Sequence, residues 1–122
     1  MIVIRQEQMQ AFKQSLQQDF ENNMLAHVED CFPQKSRAIG QVEVLRLIRA
    51  GIERAEHYGL VEQPDVAQFI DVLFTLGPSF DTNPLFPWVN RILNSPDCPA
   101  NRIRHLVAAV RKHLRRRQRL QS

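Results

Sequence analysis

Four histidines, two cysteines and an arginine-rich end are the residues of this chain best suited to chemistry, and their spacing decides which kind. His27, His57, His105 and His113 are scattered. No His-Glu-x-x-His pair occurs, and no Cys/His spacing matches a zinc site. His105 and His113 stand about two helical turns apart, too far to share one ion. Cys31 falls in the pattern of a buried helix face, and no second metal-type ligand is read beside it. Cys31 and Cys98 are therefore expected to be free thiols of a reducing compartment. There is no Gly-x-Ser-x-Gly elbow, and four glycines in the whole chain cannot make a phosphate-cradling loop. Asp81-Thr82-Asn83 starts like a calcium loop, but Phe86 holds the sixth position, which requires glycine, and no glutamate holds the twelfth. Asp81 is instead expected to accept hydrogen bonds from its turn or to cap the next helix. No residue set here can be given catalytic, metal-binding or cofactor-binding roles, so a non-enzymatic protein is expected.

Charge is the stronger signal. Residues 1–101 hold 8 Lys+Arg against 13 Asp+Glu, and residues 102–122 hold 8 Lys+Arg and no acid, which gives the net +3. An acidic body thus ends in the cluster Arg111, Lys112, Arg115, Arg116, Arg117 and Arg119. Three roles fit such a cluster. Cations suit the negative pole of a frayed helix end. Clustered arginines release counterions from nucleic-acid phosphates. They also steer docking onto an acidic protein surface.

These residues must be positioned by helices. Met9, Phe12, Leu16, Phe20, Met24, Val28 and Cys31 recur at three- and four-residue steps and predict one long helix over 6–31, after an extended Ile2-Val3-Ile4. Gln6, Gln8, Gln10, Gln14, Gln17 and Gln18 are placed on its solvent face. Phe32-Pro33 ends it, and residues 34–41 read as a polar loop. A second helix is expected over 42–58, stopped at Tyr58-Gly59 by a left-handed glycine, with Gly51 marking a close approach to another helix. A third starts at Pro64 with Asp65 in its first turn, buries Val66, Phe69, Ile70, Leu73 and Phe74, and stops at Gly77-Pro78. A fourth covers about 84–94, and a fifth begins near 99 and carries Ile103, Leu106, Val107, Val110 and Leu114 inward. The expected fold is all-α: a compact bundle of about five helices in one domain over 1–115, followed by a basic, frayed tail over 116–122. No apolar run approaches the ~18 residues needed to cross a bilayer, and the start is not built like a signal peptide, so the cytoplasm is the expected compartment.

The connection 74–89, FTLGPSFDTNPLFPWV, holds more aromatic surface than a helix link needs. Leu85 and Trp88 are expected inside, with Phe80 or Phe86 nearer the surface as part of a docking patch.

Several stretches, IRQEQM (4–9), Phe32-Pro33, RAEHYGL (54–60), DVAQFIDVLFTLGPSFD (65–81) and PWVNRIL (87–93), together resemble a loosely defined family of small helical bacterial proteins encoded beside type VI secretion spike and effector genes. The resemblance covers the chain up to about residue 93 and leaves out the arginine-rich end. It implies a protein partner: a secreted effector or a spike component, held by this chain as an adaptor or chaperone. The alternative is an immunity protein that neutralises a cognate toxin by binding it. A third reading is a nucleic-acid-binding module acting through the basic terminal helix. The partner-binding residues expected are Phe80, Phe86, Trp88, Arg111, Arg115, Arg116 and Arg117.

Overall fold

A computed structural model describes the backbone of residues 6–121 and the side chains of residues 16–120. The expected extended start at Ile2–Ile4, the stripe positions Met9 and Phe12, and the solvent-facing Gln6, Gln8, Gln10 and Gln14 lie outside the described residues or side chains. Among the described residues all regular structure is helical, in six elements: α1 (Gln6–Cys31), α2 (Pro33–Ile39), α3 (Gln41–His57), α4 (Gln63–Leu76), α5 (Pro87–Leu93) and α6 (Pro99–Gln121). The all-α expectation holds. The chain divides into two units, one up to Arg49 and one from Ala50, with α3 running through the boundary.

The sixth helix is α2, where the sequence reads as a loop. Pro33 ends α1, as its position after Phe32 predicts, and it also occupies the first turn of α2, where its missing N–H costs nothing and its fixed φ suits the helix. Gly40, at φ 84°, ends α2 and donates its N–H to the Ser36 carbonyl at 2.9 Å. The Val28 carbonyl in the last turn of α1 accepts the Phe32 N–H at 2.7 Å and the Ser36 hydroxyl as well, at 3.3 Å, which ties α2 to the end of α1. The same device recurs later: Phe32 (φ −129°, ψ 58°) and Phe86 (φ −125°, ψ 61°) precede Pro33 and Pro87 in the same backbone conformation. Proline bars the preceding residue from the helical region, so each Phe-Pro pair starts a helix. That is why α5 begins at Pro87 rather than at 84.

In the first unit Met24, Val28, Val44, Leu47 and Ile48 are buried. Glu21 is buried too, accepting from the Gln17 amide at 3.1 Å and from Arg49 Nε at 3.2 Å. Cys31, expected inside, is exposed. It is the last residue of α1, and the apolar stripe runs out one turn earlier, at Val28.

In the second unit α4 and α5 both pack on α6. The core holds Leu60, Val66, Phe69, Ile70, Leu73, Phe74, Val89, Leu93, Ile103, Leu106 and Val110. α3 ends as expected: Gly59 takes φ 79°, the Leu60 N–H returns to the Ala55 carbonyl and the Gly59 N–H to that of Glu56, both at 2.9 Å. This is the Schellman pattern, closed by the buried pair Ala55 and Leu60. Gly51 also behaves as expected. A Cβ there would stand 3.0 Å from Ile70 Cγ1, so α3 lies close against α4. α6 continues through the arginine cluster to Gln121, so the stretch expected to fray from 116 is helical.

Candidate interaction face

The site is built from the loop between α4 and α5 and from α6. Phe80 is fully buried, its ring centroid 5.0 Å from that of Phe69. It is therefore a core residue, and the expected docking role at this position is withdrawn. Its depth follows from the next residue. Asp81 is 5% exposed, forms an ion pair with Arg54, and accepts from the Tyr58 hydroxyl at 2.8 Å. Arg54 also donates to the Pro78 carbonyl and lies 5.8 Å over the Phe80 ring. Burial pulls the Arg54 guanidinium below its ordinary pKa, with the Tyr58 hydroxyl opposing the shift. It stays cationic at neutral pH, as guanidinium does in proteins. This polar knot fixes the loop to α3 and pulls Phe80 inward. Asp81 thus does accept hydrogen bonds, but from α3 rather than from its own turn, and α5 has no side-chain cap.

Arg102 makes a second knot. Its Nη1 donates to the carbonyls of Tyr58 at 2.7 Å and Leu93 at 2.6 Å, and its Nε donates to that of Asp97 at 3.1 Å. It ties the ends of α3 and α5 to the start of α6. Its charge, counted in the basic end by position, is used inside the fold.

What remains at the surface is an aromatic trio. Phe86, Trp88 and His113 are each half-buried. The Phe86 and His113 ring centroids lie 5.2 Å apart and near-perpendicular, at 84°. Trp88 lies 6.0 Å from Phe86 and 5.7 Å from His113. The two pairs made by Phe86 meet edge to face and the Trp88–His113 pair is tilted, so the rings hold one another and stay partly exposed. Leu85, expected inside with Trp88, is instead 77% exposed, because it falls in the turn before α5 and not on the helix face. The Asn83 side-chain oxygen holds that turn, accepting from the Leu85 N–H at 2.9 Å.

Helical geometry decides which arginines join the trio. At about 100° per residue, Arg116, Arg117 and Leu120 share the face of His113, while Arg111 and Arg115 lie about 160° away. Arg116, Arg117 and Leu120 are all exposed, Leu120 at 87%. Arg111 lines the groove between α4 and α6 with Gln68, Asp71 and Val107, and Arg115 Nε reaches back to the Arg111 carbonyl. The seven expected residues therefore separate into three places. Phe80 is in the core, Arg111 lines the groove beside α4 with Arg115 on the same side of α6, and Phe86 and Trp88 meet at His113, whose helix face Arg116 and Arg117 share. His113, Leu85 and Leu120 were missed. The signal for His113 was available in the sequence, since it precedes Arg116 and Arg117 by three and four residues.

Among the described residues no group of three or more His, Cys, Asp or Glu is placed to hold a metal ion, and no helix is long and apolar enough to cross a membrane. Among the described residues the architecture is all-helical, with an aromatic and basic face on α5 and α6. In comparisons with known proteins, no family model matches this chain, and neither a curated protein nor a solved structure matches it significantly.

Proposed function

We propose that this chain is a non-enzymatic protein-interaction module. Its working face is the trio Phe86, Trp88 and His113, with Arg116 and Arg117 one turn further along α6. The observation that carries the reading is the coexistence of three half-exposed rings in mutual contact, the exposed Leu85 and Leu120, and a cationic helix end without a single acid after Asp97. Aromatic and arginine side chains are the residue types that supply most binding energy at protein interfaces. The partner that fits is a protein segment with an apolar anchor for the rings and flanking carboxylates for the arginines. The resemblance of residues 4–93 to type VI secretion-associated proteins supports a more specific role: an adaptor or chaperone that masks an apolar segment of an effector or spike component until delivery.

The test is co-production of the tagged chain with the proteins encoded beside it. Wild type is expected to retain an effector or spike component. A Trp88→Ala/Arg117→Glu variant that still folds is expected to lose it. Equal recovery by both proteins, or recovery of no such component, overturns the proposal. Deletion is expected to block secretion of the partner. Rescue of cells from a toxin, with secretion intact, replaces the adaptor role by immunity.

A further inference from the structure

His113 is the one ring of the aromatic trio that can carry a positive charge. Among the described residues its contacts are aromatic, with the Phe86 centroid at 5.2 Å and the Trp88 centroid at 5.7 Å, and neither imidazole nitrogen is hydrogen-bonded. An aromatic ring attracts a cation within about 6 Å of its centroid, so this setting accepts the imidazolium as well as the imidazole. The charged groups that face His113 are cationic. On α6, Lys112 flanks it, and Arg116 and Arg117 lie one turn further on. α5 carries Arg91 as its only charged residue, three places after Trp88. The loop from Gly77 to Phe86 carries Asp81 alone, and that carboxylate is buried against Arg54 and Tyr58. The acids of α4, Asp65 and Asp71, line the groove on the Arg111 side, about 160° around α6 from His113. None of the elements packed on α6 therefore turns a carboxylate toward the His113 ring.

We infer that His113 is the proton-linked contact of this face: a carboxylate of the docking partner accepts a hydrogen bond from its ring, which takes up a proton from solvent as the complex forms. The inference rests on the acidic-partner reading above and adds the group that makes docking depend on pH. Imidazole gains its charge between about pH 5 and pH 8, and carboxylates stay ionised above about pH 5. An ionised carboxylate beside the ring favours imidazolium over imidazole. The complex then holds more bound proton than the separate partners, so affinity rises as pH falls and declines as pH rises through the imidazole range. Arg116 and Arg117 supply attraction at every pH, and His113 supplies the part that pH can switch.

The experiment uses the full chain, with Trp88, its one tryptophan, as reporter and poly-L-glutamate at low salt as the probe. Without the probe, Trp88 emission should fall as pH is lowered from about 8 to about 6, because an imidazolium quenches a neighbouring indole. His113→Gln should abolish that step, and His105→Gln should keep it. With the probe, wild type should bind about three- to tenfold more tightly at about pH 6 than at about pH 8, tenfold being one pKa unit of coupling. His113→Gln should bind without that dependence. A wild-type affinity independent of pH, an equal dependence in His113→Gln, or an emission step that survives His113→Gln overturns the inference and leaves the face standing. No binding of the probe by either protein at either pH counts against the acidic-partner reading itself, and the inference falls with it.

Discussion

The polar knot around Asp81 is the feature on which the loop depends, and its energetics follow from unequal burial. Asp81 is 5% exposed at its side chain, and Arg54 is 28% exposed. Breaking a buried ion pair by removing one partner typically costs about 3–5 kcal/mol, because the survivor stays desolvated and unpaired. Arg54→Met leaves the deeper charge stranded, with only the Tyr58 hydroxyl as its side-chain donor, so it should cost about 3–5 kcal/mol. Asp81→Leu leaves a guanidinium that still reaches solvent, the Pro78 carbonyl and the Phe80 ring, so a smaller loss of about 2–3 kcal/mol is expected. The double variant removes both charges and should cost less than Arg54→Met alone, with a coupling of about 1.5–3 kcal/mol. Trp88 is the chain's one tryptophan and lies in the second unit, so its fluorescence in urea follows the unit that contains the knot. The readout is the midpoint at unchanged slope. Additive costs, or an Arg54→Met protein within about 0.5 kcal/mol of wild type, would refute the view that this pair holds the loop.

Three further predictions follow from packing, backbone and charge. Phe80→Ala should destabilise by about 3–5 kcal/mol, as for a fully buried ring, whereas Phe86→Ala should cost about 1 kcal/mol or less in stability and act on partner binding instead; urea midpoints of the two variants separate the roles. Gly59→Ala forces a side chain onto φ 79° with Arg102 Nη2 only 3.3 Å from the new Cβ, and a loss of about 1–2 kcal/mol is expected by the same measurement. Asp97 accepts from the Asn101 amide at 3.0 Å and the Cys98 N–H at 2.8 Å, and these bonds hold its carboxyl below its ordinary pKa. The folded state therefore binds that proton less readily than the unfolded chain. The stabilisation is present above the ordinary carboxylate range and is lost as pH falls through the lowered value, so Asp97→Asn should flatten the acid side of the stability profile below about pH 4.

The helices were legible because their signals are local. Stripe periodicity placed α1, α3, α4 and α6, and glycine turn chemistry placed the stops at Gly59 and Gly77. Gly51 marked a close helix contact by the simple lack of a side chain. What stayed hidden depends on partners distant in sequence. Nothing near Asp81 announces Arg54 or Tyr58, so Phe80 was put at the surface. Arg102 was counted as tail charge because its acceptors, the Tyr58 and Leu93 carbonyls, exist only once three helix ends meet. Phe-Pro was read as an ending, and the same dipeptide is also a beginning. The candidate face was half legible: the spacing puts His113 on the helix face of Arg116 and Arg117, but its contact with Phe86 and Trp88 exists only once α5 packs on α6.

The central claim is that a protein partner sits on the Phe86–Trp88–His113 side of α6. Site-specific photo-crosslinking in producing cells tests it most directly, with the photoreactive residue placed at Leu85 or Leu120 on that face and at Arg111 or Arg115 across the helix. The account predicts a discrete protein adduct from 85 and 120, with an acidic segment at the crosslink, and none from 111 or 115. Adducts arising equally from 111 and 115, nucleic acid as the crosslinked species, or no adduct from 85 and 120 would contradict it.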